Sequence, residues 1–187
     1  MQLRRITILA LLLGALLPAG ALAASPRVLV VGDSLAVGMR PALPGVLGAD
    51  KLTWDVKGGI GTPQGMRALR ARLREYTPES LIVSLGTNDG SDPRRFASRI
   101  RRVMSAVPRA CVVWSTVIRP ARKGPYHQLN RVLRAEARRN HRLVLVDWER
   151  AVREGRVRLP DTVHPDAAGY RYRSAMFGSA VRRGCVA

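Results

Sequence analysis

Aromatic residues are scarce in this sequence, at 5% of the chain, and lysine occurs only at positions 51, 57 and 123. Acidic residues are also few: 13 of them stand against 32 basic residues, which gives a formal net charge of +19. The many arginines are spread along the chain, and no aromatic side chains alternate with them to stack on bases. We therefore expect no specific nucleic-acid binding, but a solvated basic surface that attracts anionic cell-wall polymers or lipid headgroups at low salt.

Long apolar runs are absent beyond the N-terminus. That end combines Arg4-Arg5, an apolar run over 6–17 and the small-residue segment 21–23, which together are typical of a secretory signal peptide. We predict a signal peptide at 1–23 and a single exported domain at 24–187. An uncleaved membrane anchor is the alternative, although the run is short for a bilayer, which needs roughly 20 apolar residues.

Cysteine occurs only twice, at Cys111 and Cys185, both in the part of the chain expected to be exported. In an oxidising compartment two cysteines indicate one disulfide, which would tie the last residues to the body of the domain. Two buried or free thiols are the alternative, and the sequence does not decide between them.

Short apolar runs alternate with segments in which apolar residues recur every three or four positions. The apolar runs predict strands at 28–31, 52–56, 81–85, 111–114 and 143–146. The periodic segments predict helices at 66–73, 96–107, 129–137 and 167–181. Such alternation, with no internal repeat or linker, is typical of one α/β domain whose parallel sheet is covered by helices on both faces.

The first predicted strand runs directly into Gly32-Asp33-Ser34. Ser34 has two interpretations: it is the N-cap of the next helix, or it is a nucleophile at a helix N-terminus that favours developing negative charge. A serine nucleophile needs a base to take its proton and a third group to orient that base. The remainder of the chain must therefore supply both partners if Ser34 is catalytic.

His164 is the candidate base among the three histidines. Asp161 precedes it by three residues in a tight loop, so the carboxylate can reach one imidazole nitrogen while the other points outward. His127 and His141 lie in polar or basic segments and are expected at the surface.

Three groups are candidate donors to the oxyanion that forms when a serine attacks an ester. They are the backbone amide of Gly59 in a glycine-rich turn, the side-chain amide of Asn88, and the backbone amide of Ser34. One such donor lowers the barrier by roughly 3–4 kcal/mol. Each residue taken singly has a simpler explanation in a turn or a cap, but together at one sheet edge they indicate acyl transfer.

Four blocks of the sequence resemble the SGNH hydrolase superfamily, the GDSL esterases and lipases, and occur in the family's order. Gly32-Asp33-Ser34-Leu35 resembles the first block, and Gly59 followed by Gly65 resembles the second. Gly86-Thr87-Asn88-Asp89 resembles the third, and Asp161-Thr162-Val163-His164-Pro165 resembles the fourth. Several glycines lie near the second block, and we choose Gly59 by its spacing from Gly65.

The resemblance implies a flavodoxin-like three-layer α/β/α sandwich with a five-stranded parallel sheet in the order 2-1-3-4-5. It also implies a catalytic triad of Ser34, Asp161 and His164, an oxyanion hole of Ser34, Gly59 and Asn88, and no metal or organic cofactor.

From this we predict a secreted or periplasmic serine esterase, a monomer, that acts on short acyl or acetyl esters of extracellular glycans or lipids. An acyltransferase onto a cell-wall sugar is the alternative. A non-catalytic wall-binding protein with the same fold is a less favoured one.

Overall fold

A computed structural model describes residues 27–185, so the predicted signal peptide lies outside the described residues. Its five strands are β1 (Val28–Gly32), β2 (Leu52–Val56), β3 (Ser80–Ser84), β4 (Cys111–Ser115) and β5 (Leu143–Val146). They form one sheet in the order β2-β1-β3-β4-β5, and every neighbouring pair is parallel. This is the order that the family resemblance implied.

Of the three interior strands of the sheet, β1 and β3 are buried along their whole length, and β4 is buried except at its first residue. Both faces of a covered parallel sheet are apolar, which explains why β1 reads as a continuous apolar run rather than an alternating one. Gly32 at the end of β1 lies opposite Val56 on β2 and Ser84 on β3. The carboxyl ends of these three strands therefore meet at one edge.

Helices connect the strands within residues 27–185. They are α1 (Ser34–Val37), α2 (Leu43–Leu47), α3 (Thr62–Arg72), α4 (Pro93–Ala106), α5 (His127–Arg139), α6 (Trp148–Arg153) and α7 (Ala167–Gly184), with short 3-10 helices at Ala49–Lys51 and Ala121–Lys123.

Side chains of β1 point alternately into two separate apolar cores. Leu29 and Val31 belong to the core that α3, α4 and α5 cover, whereas Val28 and Val30 belong to the core that α2 and α7 cover. Helices therefore pack on both faces of the sheet. The predicted three-layer α/β/α sandwich is confirmed.

The helices α1, α2 and α6 have no predicted bounds: the sequence indicates only that a helix begins near Ser34, and it does not predict α2 or α6. They span only four to six residues, which is too short for an apolar period of 3.6 residues to be visible. The helices α3 and α4 begin at Thr62 and Pro93, earlier than predicted, because their first turns carry a proline rather than apolar residues.

A disulfide joins Cys111, the first residue of β4, to Cys185 directly after α7, with their Cα atoms 5.3 Å apart. This is the pairing predicted from the sequence. Within residues 27–185, no helix is long and apolar enough to cross a bilayer.

Candidate active site

The chain turns from β1 directly into α1. A Cβ at Gly32 would lie 2.4 Å from the Cβ of Ala36 and 2.9 Å from the carbonyl oxygen of Ser84, so this turn requires glycine. Asp33 is the N-cap of α1, because its carboxylate accepts the backbone N–H of Leu35 at 3.0 Å. The helix is therefore capped by Asp33 and not by Ser34. Ser34 is its first residue, at the carboxyl edge of the sheet.

Ser34, His164 and Asp161 form a continuous hydrogen-bonded chain. Ser34 Oγ lies 2.7 Å from His164 Nε2, and Asp161 Oδ2 lies 2.7 Å from His164 Nδ1. When Nδ1 is protonated and donates a hydrogen bond to the carboxylate, Nε2 is free to accept the hydroxyl proton of Ser34. The fold thus brings the serine against a histidine that lies 130 positions later in the sequence.

A tight loop holds Asp161 against His164. Asp161 Oδ1 accepts the backbone N–H of Val163 at 2.9 Å and that of His164 at 2.6 Å, and Thr162 between them has a positive φ of 70°. The backbone N–H of His164, its ring and the amide of Val163 hold the pKa of the Asp161 carboxyl well below its usual range. This carboxylate therefore stays charged far into the acidic range.

Asn88 lies at the same sheet edge. Its Nδ2 donates to the carbonyl oxygen of Ile60 at 3.2 Å and lies 3.5 Å from Asp33 Oδ2. Gly59, directly before Ile60, is exposed, has a positive φ of 76°, and has no neighbouring atom within 4 Å of where a Cβ would stand. The turn that carries Gly59 is therefore open to an approaching molecule, next to the residue that caps α1.

Residues 30–172 match the model of the GDSL-like lipase/acylhydrolase family. The chain belongs to this family. The protein is accordingly a hydrolase of the GDSL type, as the four sequence blocks predicted.

Solved structures of low sequence identity share the fold. The catalytic domain of Streptococcus pneumoniae peptidoglycan O-acetyltransferase A (OatA) is 14% identical, with a TM-score of 0.68 over 86% of this chain and 94% of that one. TesA is 22% identical, with a TM-score of 0.69 over 85% and 99%. The esterase EstA from Pseudoalteromonas sp. is 16% identical, with a TM-score of 0.68 over 83% and 96%. No curated protein matches the chain significantly.

Two charged residues to which the sequence analysis gave no role lie buried at the active-site edge of this GDSL hydrolase. Asp33 is completely buried, which raises the pKa of its carboxyl to about 6. Arg173 of α7 is buried as well and donates to Ser84 Oγ at 3.0 Å and to Ser115 Oγ at 2.8 Å. Burial lowers the pKa of Arg173 to about 10, although the charge of Asp33 acts in the opposite direction.

Arg173 interrupts an apolar stripe on α7. Phe177 and Val181, four and eight residues later on the same face of α7, are buried in the core. The guanidinium carbon lies 4.6 Å from the centroid of the Trp148 ring and 5.2 Å from that of Phe177, so the cation is stacked against aromatic faces. An arginine within an apolar helical stripe is the sequence signal that could have identified it.

Arg119 supports the loop that carries Asn88. This buried guanidinium donates to the carbonyl oxygens of Gly86 and Thr87 at 3.3 and 3.2 Å, and also to that of Asp89. The three carbonyls belong to residues on both sides of Asn88, so the Arg119 side chain fixes the backbone before and after the candidate donor. Nothing in the sequence near Arg119 indicates this role.

The other two histidines lie at the surface, as predicted. His127 begins α5 and its Nδ1 contacts Glu149 Oε1 at 3.0 Å, and His141 is exposed just after the same helix. Among residues 27–185, no group of three His, Cys, Asp or Glu side chains lies close enough together to bind a metal ion.

Proposed function

We propose that this GDSL hydrolase is a serine esterase in which Ser34 attacks the carbonyl carbon of an ester. The hydroxyl proton moves to Nε2 of His164, and Asp161 orients the ring through Nδ1. The oxyanion is bound by the backbone amides of Ser34 and Gly59 and by the side-chain amide of Asn88. The observation that carries the proposal is the unbroken hydrogen-bonded chain from Asp161 to Ser34 at the start of α1.

The second half of the reaction uses the same groups. His164 gives its proton to the leaving alcohol, which departs and leaves the acyl group bonded to Ser34 Oγ. A water molecule then loses a proton to His164 and attacks the acyl-enzyme, and the acid is released as Ser34 regains its proton. Asp161 stabilises the imidazolium in both halves, because its lowered pKa keeps it charged.

Short acyl groups, acetyl foremost, are the substrates that we favour, on glycans or lipids outside the cytoplasm. Support comes from the described chain, which between residues 27 and 185 carries no long insertion to form a lid over an acyl tunnel. The N-terminal signal pattern and the Cys111–Cys185 disulfide support export to the periplasm or the medium.

Acyl transfer to a sugar hydroxyl is the second candidate function. It is favoured by the fold likeness to the catalytic domain of a peptidoglycan O-acetyltransferase. The acyl-enzyme is the same in both reactions, and the sugar hydroxyl takes the place of water in the second half.

Ser34→Ala tests the proposed nucleophile. Hydrolysis of p-nitrophenyl acetate should fall by about 10³-fold or more, because triad deletions act on the transition state. The melting temperature should stay unchanged, and the surface variant His127→Ala should keep its activity. A Ser34→Ala protein that retained more than about a tenth of the wild-type turnover would overturn the assignment.

Two further measurements determine the preferred acyl length and separate the candidate functions. A series of p-nitrophenyl esters from acetate to octanoate should show the highest kcat/KM for acetate. Adding a chitooligosaccharide to the acetate assay and weighing the products by mass spectrometry distinguishes hydrolysis, which leaves the sugar unchanged, from transfer, which adds an acetyl group to it.

A further inference from the structure

Two exposed lysines flank the loops that carry Gly59 and Asn88. Lys57 directly follows β2, precedes Gly59 by two residues, and donates its backbone N–H to the carbonyl oxygen of Gly32 at 3.0 Å. Lys123 ends the short helix after β4, and its ammonium lies 3.3 Å from Asn88 Oδ1. Lys123 thus lies beside one candidate oxyanion donor in space, and Lys57 lies two residues before another along the chain.

No free acidic side chain offsets these charges in the loops 57–61, 85–92 and 116–126, which follow β2, β3 and β4. The acids in these loops are Asp89 and Asp92. Asp89 is buried and paired with Arg99, while Asp92 caps α4 and pairs with Arg95.

Both lysine side chains remain available to a bound molecule. Within the described residues, neither Lys57 nor Lys123 forms a salt bridge. Both side chains are exposed, and a lysine side chain offers donors and no acceptor.

The electrostatic interaction of these charges extends to a substituent close to the ester. At physiological ionic strength the screening length is about 8 Å, so a charge next to Asn88 acts on groups attached near the carbonyl that Asn88 would bind. A neutral ester would leave both ammonium groups without an anionic partner. A carboxylate or phosphate beside the ester would meet them.

We propose that Lys123 and Lys57 form a subsite for an anionic group, a carboxylate or a phosphate, carried by the ester substrate close to its carbonyl. The inference rests on the proposed function, because it takes Asn88 and Gly59 as oxyanion donors. It narrows the substrate class to esters of acidic glycans or of phosphate-bearing molecules. The net positive charge gathers such molecules at the surface, and the two lysines select the ester among them.

The test compares a matched pair of esters, p-nitrophenyl hydrogen glutarate and p-nitrophenyl valerate, which share chain length and leaving group and differ in one carboxylate. The wild-type protein should have a kcat/KM ratio of anionic to neutral ester of about tenfold at low salt, which falls as NaCl is added. Lys123→Ala should lower this ratio close to unity, and Lys57→Ala should lower it in part. Lys51→Ala, in which the lysine lies before β2 at the opposite edge of the sheet, should leave it unchanged.

Three results would overturn the subsite. A ratio that is the same in Lys123→Ala and wild type means that the anion does not meet this lysine. If Lys123→Ala lowers kcat/KM by the same factor for the anionic and the neutral ester, Lys123 positions Asn88 and does not bind the substrate. Equal lowering of the ratio by Lys51→Ala would assign the preference to the general surface charge, which also contradicts the subsite.

Acetate release identifies the anion. The rate of acetate release from an acetylated uronic acid and from an acetylated sugar phosphate is compared with the rate from the neutral acetylated sugar. The preferred anionic group is the one that raises this rate more in the wild type and no longer raises it in Lys123→Ala. Failure of the proposed function is separate, because it would appear as p-nitrophenyl valerate hydrolysis that survives Ser34→Ala.

Discussion

Asp33 places a carboxylate in the protein interior one residue before the candidate nucleophile. It accepts the backbone N–H of Leu35 and lies 3.5 Å from the side-chain amide of Asn88, and the hydroxyl of Thr87 acts to lower the pKa of its carboxyl. Arg173 and His164 add favourable electrostatic interactions, but desolvation outweighs all of these contributions. Asp33 therefore organises the groups around Ser34 at a cost in stability when it is ionised.

The stability of the protein should depend on pH through the titration of Asp33. Because its folded-state pKa of about 6 lies above the unfolded value, the folded protein holds a proton that the unfolded chain releases. The free energy of unfolding should thus fall between about pH 4 and pH 6, by on the order of 3 kcal/mol from this group, and stay lower above pH 6.

Asp33→Asn removes that titration. The melting temperature of the variant should depend less on pH between about pH 4 and pH 6 than that of the wild type, and it should be several degrees higher at pH 7. Thermal unfolding of both proteins across this range checks the prediction. Parallel curves would show that Asp33 does not carry the effect.

Among the secondary-structure elements, the loop from β3 to α4 is held by a side chain from a neighbouring loop. Arg119 reaches from the loop after β4 and donates to three carbonyls around Asn88, and it contacts Ser91 Oγ at 3.1 Å. The loop that presents the candidate oxyanion donor is thus held by hydrogen bonds from outside itself, which fixes Asn88 before a substrate binds.

Arg119→Met should lower kcat by at least about tenfold with a smaller change in KM, because the loss falls on the alignment of Asn88 in the transition state. It should also destabilise the protein, since each buried carbonyl left without a donor costs about 1–3 kcal/mol. Steady-state kinetics and thermal unfolding check both effects, with the exposed Arg109→Met as the control. A KM effect alone would mean that Arg119 contributes to substrate binding rather than to positioning.

For the whole molecule, the disulfide links two elements that lie far apart in the chain. It fastens the end of α7 to the start of β4, while the other end of α7 follows His164 and its middle carries Arg173. The helix that carries Arg173 is therefore anchored at its far end to the sheet.

Removal of the disulfide should destabilise the protein. Cys111 and Cys185 are 74 positions apart, and closing a loop of this length contributes about 4 kcal/mol in the chain-entropy model. The double variant Cys111→Ser/Cys185→Ser should melt about 10 °C lower than the wild type, and a reducing agent should lower the melting temperature of the wild type only. Two free thiols in the denatured, unreduced wild type would contradict the pairing.

Much of this protein could be predicted from local sequence. The apolar run 28–31 is typical of a buried strand, and the Asp161–His164 pair lies within one tight loop, so its spacing indicates the contact directly. The sheet order came from resemblance to a family, because alternation of strands and helices does not specify which strands are neighbours. The catalytic roles of Ser34, His164 and Asp161 stay predictions, although the three residues lie in contact.

The sequence by itself determined the α/β class, the family and the residues of the candidate triad, since periodicity and short motifs are set by near neighbours. Only the tertiary structure decided that Arg173 lies against Ser84, 89 positions earlier, and that the Lys123 ammonium lies beside Asn88. The reason is physical: whether a charged side chain is buried, paired or exposed depends on which strand ends and loops meet there, and the order of the assembled sheet sets that.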